Sequence, residues 1–173
     1  KYYKIMEDTA KFYNFYLTNT TNAKPALEYL HNRGLSDDII KRFNIGASPD
    51  DDKLFKLLEA SKYLPIDMIE LGLVKSYNNE YHDVYKNRII FPIYDLDGYV
   101  CGLSGRKYLE NDDSSKYVNS VENVIFKKSL ILYNYHNALP TIKEEDNVYL
   151  FEGFMDVIAS VRAGFNNSVA SMG

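Results

Sequence analysis

The sequence holds no tryptophan, one cysteine and three histidines in 173 residues. A lone thiol, Cys101, excludes an internal disulfide framework and any cysteine-rich zinc site within the chain. That fits a reducing compartment, and a cytoplasmic location is expected. Cys101 lies in the apolar stretch Tyr99-Val100-Cys101-Gly102-Leu103 and reads as core, not as a nucleophile. His31, His82 and His136 are scattered, without metal-ligand spacing. No stretch approaches the ~20 apolar residues of a membrane span. The start, Lys1-Tyr2-Tyr3-Lys4-Ile5, lacks the apolar run of a signal peptide. There is no internal repeat and no low-complexity linker. The initiator methionine is missing and the sequence stops abruptly at Ala170-Ser171-Met172-Gly173, so a piece of a larger protein is expected.

What is present suits a globular fold. A hydrophobic fraction of 46% is ordinary, and the length allows one or two domains with a real core. Sixteen tyrosines are unusual, and composition bias explains them most simply. The net charge of −4 argues mildly against nucleic acid. Its distribution softens that argument, because residues 82–133 carry seven bases and seven acids. Residues 134–173 carry two bases against five acids. A positive groove therefore requires folding to gather the bases on one side; scattered solvated charge is the plainer reading.

Apolar periodicity predicts an amphipathic helix over 3–17, broken by Thr18-Asn19-Thr20-Thr21-Asn22. A second short helix carries Ala26, Leu27, Tyr29 and Leu30 and stops at Gly34. Ser36 caps a third, with Asp37 and Asp38 in its first turn. Asp50-Asp51-Asp52 precede a fourth, for which they serve as dipole-favoured capping acids more readily than as a metal site. Pro65 opens a fifth, ending at Gly72. From residue 73 the character changes. Residues 88–94 read as a strand, Asp95-Leu96-Asp97-Gly98 as a turn and 99–103 as the returning strand, with a polar loop at 110–116. Residues 147–151, 154–163 and 166–171 form a strand–helix–strand unit, the sign of a parallel α/β sheet. The fold class is α+β: a helical N-terminal part and an antiparallel β region, then the opening of an α/β domain.

Three places suit chemistry. Glu152 follows a buried parallel strand, where α/β sheets put functional groups, and Gly153 lets the chain turn sharply into the helix. Asp156 falls in the first helical turn, and a Mg²⁺ with water ligands would relieve the repulsion between the two carboxylates. Spacing alone leaves open whether Glu152 is merely exposed and Asp156 merely dipole-favoured. Gly102-Leu103-Ser104-Gly105-Arg106-Lys107 offers close backbone approach to a ligand and an arginine fork, although such glycines also mark bulges. Lys116-Tyr117-Val118-Asn119-Ser120 combines a cation, an aromatic ring and an amide, the tools for a phosphate, a base face and a base or sugar edge; a surface strand is the bland alternative. Phe126-Lys127-Lys128 adds a basic pair.

In this order, the pieces resemble the RNA-polymerase core of bacterial DnaG-type DNA primases over roughly residues 23–173. Ala26 to Leu30, Arg33-Gly34-Leu35 and Phe43-Asn44-Ile45-Gly46 resemble the family's opening helical motif. Arg88 with Phe91-Pro92-Ile93, then Gly98 and Gly102 to Arg106, is similar to its central hairpin. Lys116 to Ser120 with Glu122 resembles its signature loop, and Phe126 and Lys128 follow at family spacing. Glu152-Gly153-Phe154-Met155-Asp156-Val157 resembles the first Toprim motif, and Val169 to Gly173 the next strand.

The resemblance implies an N-terminal α+β subdomain over 1–145 and the start of a Toprim domain at 146–173. It implies a nucleotidyltransferase that makes RNA primers on single-stranded DNA from NTPs. Glu152 would be its catalytic and metal-site glutamate, with Asp156 a weaker ligand of Mg²⁺ or Mn²⁺. Arg33, Lys86, Arg88, Arg106, Lys116, Tyr117, Asn119 and Lys128 would line the groove for nucleotide, template and RNA primer. Departures fall at Val118 for the usual leucine, Val121 for proline, Lys86 for arginine and Val84 for a basic residue. The family's zinc module, its later Asp-x-Asp metal pair and its helicase-binding domain have no counterpart in this sequence. The isolated chain is therefore expected to make no primers, zinc belongs to the longer protein, and the replicative helicase would dock elsewhere. Alternatives are another Toprim enzyme (a topoisomerase or nuclease), a phage- or organelle-type primase–helicase, or a non-catalytic nucleotide- or single-strand-binding module.

Overall fold

The structure, a computed structural model, describes residues 1–172 and divides the chain into two compact units. The first comprises Lys1–Pro92 and Gly102–Val121, the second Ile93–Cys101 and Glu122 onward. Gly173, the last residue of the final predicted strand, lies outside the described residues.

The first unit opens with α1 (Tyr2–Asn19), whose buried residues Ile5, Met6, Thr9, Ala10, Tyr13 and Leu17 recur at helical spacing. Next come α2 (Lys24–Asn32) and α3 (Asp37–Arg42). Gly34 ends α2 with φ +82, and the Ser36 hydroxyl accepts the Ile39 N–H at the start of α3. The two-residue strand β1 (Gly46–Ala47) lies against α1. There the Asn14 side chain donates to the Ile45 carbonyl at 2.8 Å. After α4 (Lys53–Ala60) and α5 (Pro65–Glu70) come β2 (Val74–Tyr77) and β3 (Glu80–Asp83), a hairpin that the periodicity does not announce. Its signal is Asn78-Asn79, both at positive φ (52° and 59°), the two-residue turn that matches strand twist. The main sheet runs β1–β4–β5–β6, with β4 at Arg88–Tyr94, β5 at Val100–Lys107 and β6 at Tyr117–Asn119. Strand β5 continues past Leu103, so Gly102 to Lys107 lie inside a strand.

The Asp50–Asp52 capping assignment holds in part: the Asp51 carboxylate accepts the N–H of Lys53, the first residue of α4, at 3.2 Å. A second capping acid, which the sequence does not announce, comes from β3: the Asp83 carboxylate accepts from Leu54 N and Phe55 N at 3.0 and 2.9 Å. Asp52 instead accepts the Asp83 N–H at 2.9 Å and pairs with Lys86 and His82, both at 3.1 Å. The two carboxylates thus clasp α4 to the hairpin reciprocally. Burial pushes the Asp83 carboxyl up to about 6, although the two helix N–H groups favour its anion. Partial burial also acts to raise Asp52, but the Asp83 N–H, Lys86 and His82 outweigh it and hold the group down at about 2. Native Asp83 therefore binds its proton more tightly than the unfolded chain, whose carboxyl titrates near 3.8. Stability is expected to fall as pH rises from about 4 to about 6, by on the order of 3 kcal/mol. Asp52 acts oppositely: its contribution is present above about 4 and lost as pH falls toward 2. Urea midpoints of the wild type and Asp83→Asn between pH 4 and 7 test this, the difference between them narrowing at the acid end. Parallel curves would refute the assignment.

In the second unit the turn at Asp95–Tyr99 closes on the Asp95 carboxylate, which accepts from Asp97 N and Tyr99 N, both at 3.0 Å. Ile93, Cys101, Phe126 and Ile131 form a core beneath it. Burial pushes the Cys101 thiol up to about 12, so it stays protonated and inert. Strand β7 (Leu132–Tyr133) leads to α6 (Tyr135–Glu145), a helix hidden in the sequence by Pro140 in its interior. Strand β8 (Tyr149–Phe151), α7 (Phe154–Arg162) and β9 (Ser168–Ser171) are the predicted strand–helix–strand unit. Strands β8 and β9 pair in parallel, with β7 antiparallel on the other edge of β9. Among the described residues, no helix is long and apolar enough to cross a membrane.

Candidate nucleic-acid interface

The register of β5 on β6 builds the site. Ser104 faces Asn119, Gly105 faces Val118 and Arg106 faces Tyr117. Directly opposed residues share a sheet face, so the Arg106 guanidinium and the Tyr117 ring meet, 5.8 Å apart. Arg106 also lies 5.2 Å from the ring of Tyr29 on α2, and its Nη1 donates to the Tyr29 hydroxyl and to the Lys107 carbonyl. Arg33, just past α2, stands 5.0 Å from the same Tyr29 ring. The Lys116 ammonium is 5.9 Å from the Tyr117 ring. The result is a row in which cations and aromatic rings alternate: Arg33, Tyr29, Arg106, Tyr117, Lys116. Each separation is within the range of cation–π attraction. Asn119 is exposed beside this row, its Oδ1 accepting the Ser104 hydroxyl at 2.6 Å.

Tyr29 is the member that the sequence reading left out of the site. It lies on a helix 77 residues from Arg106, and helical spacing marks it only as a partly apolar position. Its place four residues before Arg33, hence on the same helical face, is the signal available in the sequence.

Arg88 differs from its predicted role in where its guanidinium points. The residue is 5% exposed. Its Nη1 donates to the carbonyls of Gly105 (3.1 Å) and Lys116 (3.4 Å), and its Nη2 to the Ser114 hydroxyl (3.0 Å). It braces β5 to the segment that delivers Lys116. Gly105 is needed for that brace: a Cβ there would sit 2.8 Å from Tyr85 Cδ1 and 3.0 Å from Arg88 Cδ. The close approach that this glycine permits is by Tyr85 and Arg88. Lys86 pairs with Asp52 and faces a separate cavity of about 1150 Å³, bounded by the β2–β3 hairpin and the 109–114 loop.

Lys128, in the second unit, belongs to a short 3₁₀ turn whose first N–H donates to the Glu122 carboxylate at 2.8 Å. Glu152 follows β8, a mostly exposed strand rather than the buried one expected (Leu150 is 66% exposed), and is itself exposed, as is Asp156 in the first turn of α7. Gly153 has φ −124° and ψ 144°, ordinary extended backbone, so the turn into α7 uses none of glycine's special freedom. The Asp156 carboxylate folds back toward Gly153, at the helix start that the dipole favours. The described residues contain no group of three or more His, Cys, Asp or Glu able to hold a metal. Glu152 and Asp156 are hard oxygen donors that suit Mg²⁺ or Mn²⁺, but only as part of a ligand set.

A family model described as the DNA primase catalytic core, N-terminal domain, matches residues 12–139. The chain belongs to the bacterial DnaG-type primase family. A DNA primase of Lactococcus lactis is 47% identical over 173 residues, covering 99% of this chain and 27% of that protein. The RNA polymerase domain of Mycobacterium tuberculosis primase DnaG superposes with a TM-score of 0.92 at 28% identity, over 99% of this chain and 56% of that one. A DnaG primase catalytic domain bound to single-stranded DNA gives 0.83 at 34% identity, over 99% of this chain and 55% of that one. The chain thus spans about a quarter of the length of the curated primases it matches.

Proposed function

We propose that this chain is the nucleic-acid-gripping part of a DNA primase, an enzyme that copies single-stranded DNA into short RNA primers. The alternating row from Arg33 to Lys116 carries the reading. Its cations suit phosphates and its rings suit base faces, the combination that holds a single strand without reading its sequence. Asn119 adds donors and an acceptor at the edge. A related catalytic domain bound to single-stranded DNA supports the same choice of ligand. Arg33, Arg106, Lys116, Tyr117 and Asn119 are proposed to contact template, primer or nucleotide, with Lys86 and Lys128 as further basic positions and Arg88 as their brace.

In the longer protein, residues 146–173 would open a Toprim domain, with Glu152 as its catalytic glutamate and, beside Asp156, a ligand of Mg²⁺ or Mn²⁺. The metal would supply charge stabilisation during transfer of a nucleotidyl group from an NTP. Zinc and the replicative helicase would engage parts of the protein other than these residues, and the protein would work in the cytoplasm. The 173-residue chain alone is expected to make no primers.

Binding of a labelled oligo(dT) strand tests the grip. Arg106→Ala and Lys116→Ala should each weaken it roughly fivefold to tenfold at low salt. Each should also lower the slope of log affinity against log salt by about 0.7, the share of one phosphate contact on a single strand. Unchanged affinity in both folded variants would count decisively against the interface.

A further inference from the structure

The row of cations has an internal dependence that its members' charges do not reveal. Arg33 leaves the end of α2 and Arg106 leaves β5, so the backbone gives them no common support. Tyr29 is what they share. Its ring lies 5.0 Å from the Arg33 guanidinium and 5.2 Å from that of Arg106, and its hydroxyl accepts from Arg106 Nη1. The ring is half-buried and its centroid lies 6.4 Å from that of Tyr108, which limits its own freedom. Two like charges held near one ring repel, and attraction to that ring offsets the repulsion, with the Lys107 carbonyl and the Tyr117 ring also holding Arg106.

We propose that Tyr29 is a positioning residue that holds Arg33 and Arg106 as one preformed unit for two phosphates of a bound strand. This rests on the nucleic-acid reading above. Long arginine side chains lose rotamer freedom when they grip a ligand, and a residue that fixes them beforehand removes that cost from binding. The hydroxyl sets the Arg106 fork, whereas the ring holds both guanidinium planes. Tyr29 itself need not touch the nucleic acid.

The experiment is a double-mutant cycle on oligo(dT) binding by the whole chain. Tyr29→Phe removes the hydroxyl with little risk to the fold. It should weaken binding roughly threefold to fivefold. That loss should vanish in the Arg106→Ala background, because the hydroxyl acts through that arginine. Tyr29→Leu removes the ring as well. It should lower the salt slope nearly as far as the double variant Arg33→Ala/Arg106→Ala, although it removes no charge. A Tyr29→Phe loss that persists undiminished without Arg106 overturns the proposal, as does a wild-type salt slope in folded Tyr29→Leu. If Arg33→Ala and Arg106→Ala themselves bind as the wild type does, the nucleic-acid reading fails first, and this inference fails with it.

Discussion

Gly46→Ala should cost at least about 3 kcal/mol of folding free energy, roughly 10 °C in Tm. An ideal Cβ on Gly46 would lie 2.5 Å from the Tyr13 carbonyl carbon, 2.7 Å from Asn14 N and 2.7 Å from Tyr13 Cβ. Two of these are backbone atoms of α1, which cannot rotate away as a side-chain tip can. Ordinary carbon contacts lie near 3.5–4.0 Å, so the helix must lift by about an ångström. Lifting it strains the Asn14 bond to Ile45 and opens the packing of Tyr13, which is fully buried. Gly153→Ala is the internal control. Its φ of −124° accepts alanine, and the new Cβ would meet the Asp156 carboxylate at an unremarkable 3.6 Å. That change should stay within about 0.5 kcal/mol, since it creates neither strain nor a buried clash. Thermal melts of the two variants check the contrast, and an equal effect at both positions would refute the packing argument.

Arg88→Leu should be comparably severe, and it should also damage a function that Arg88 does not perform by contact. The substitution leaves the Gly105 and Lys116 carbonyls and the Ser114 hydroxyl without their shared donor, the Gly105 bond buried and the other two partly so. Loss of several hydrogen bonds from a charged group should cost about 3–5 kcal/mol. The Lys116–Tyr117 end of the row then keeps only its strand pairing with β5, and oligo(dT) affinity should drop roughly tenfold or more. Arg88→Lys cannot fork onto three acceptors and should recover little. The discriminating readout is amide exchange. A positioning role predicts weaker binding with a disordered 114–117 segment, seen as faster amide exchange there. Weaker binding with unaltered exchange would instead make Arg88 a direct phosphate contact.

Much of the architecture was legible because it follows from local periodicity. The helices at Tyr2–Asn19 and Phe154–Arg162 and the strands around Ile89 and Leu150 carry their patterns in consecutive residues. Besides the two-residue strands β1 and β7, the β2–β3 hairpin and α6 escaped, for physical reasons. The β2–β3 hairpin is mostly polar and exposed, so it has no apolar alternation, and only Asn78-Asn79 betrays it. Helix α6 carries a proline that reads as a breaker. The capping of α4 is shared between Asp51 of the predicted run and Asp83, since a carboxylate from a distant strand can occupy a helix start as well as a neighbour can.

For the candidate site, the sequence alone determined the kinds of residue available and their order: Arg33, Arg106, Lys116, Tyr117 and Asn119, then Glu152, in a succession that matches one family. It also determined that the bases of residues 82–133 are balanced by acids, so that any grip on a polyanion must come from arrangement. Only the tertiary structure decided that arrangement. The β5–β6 register put Arg106 across from Tyr117, and α2 brought Tyr29 and Arg33 to the same guanidinium. It also withdrew Arg88 from the surface and made it a brace. A charge in a sequence has a sign but no direction. Which side of a strand it occupies, and whether carbonyls or solvent meet its N–H groups, depends on pairings between segments many residues apart.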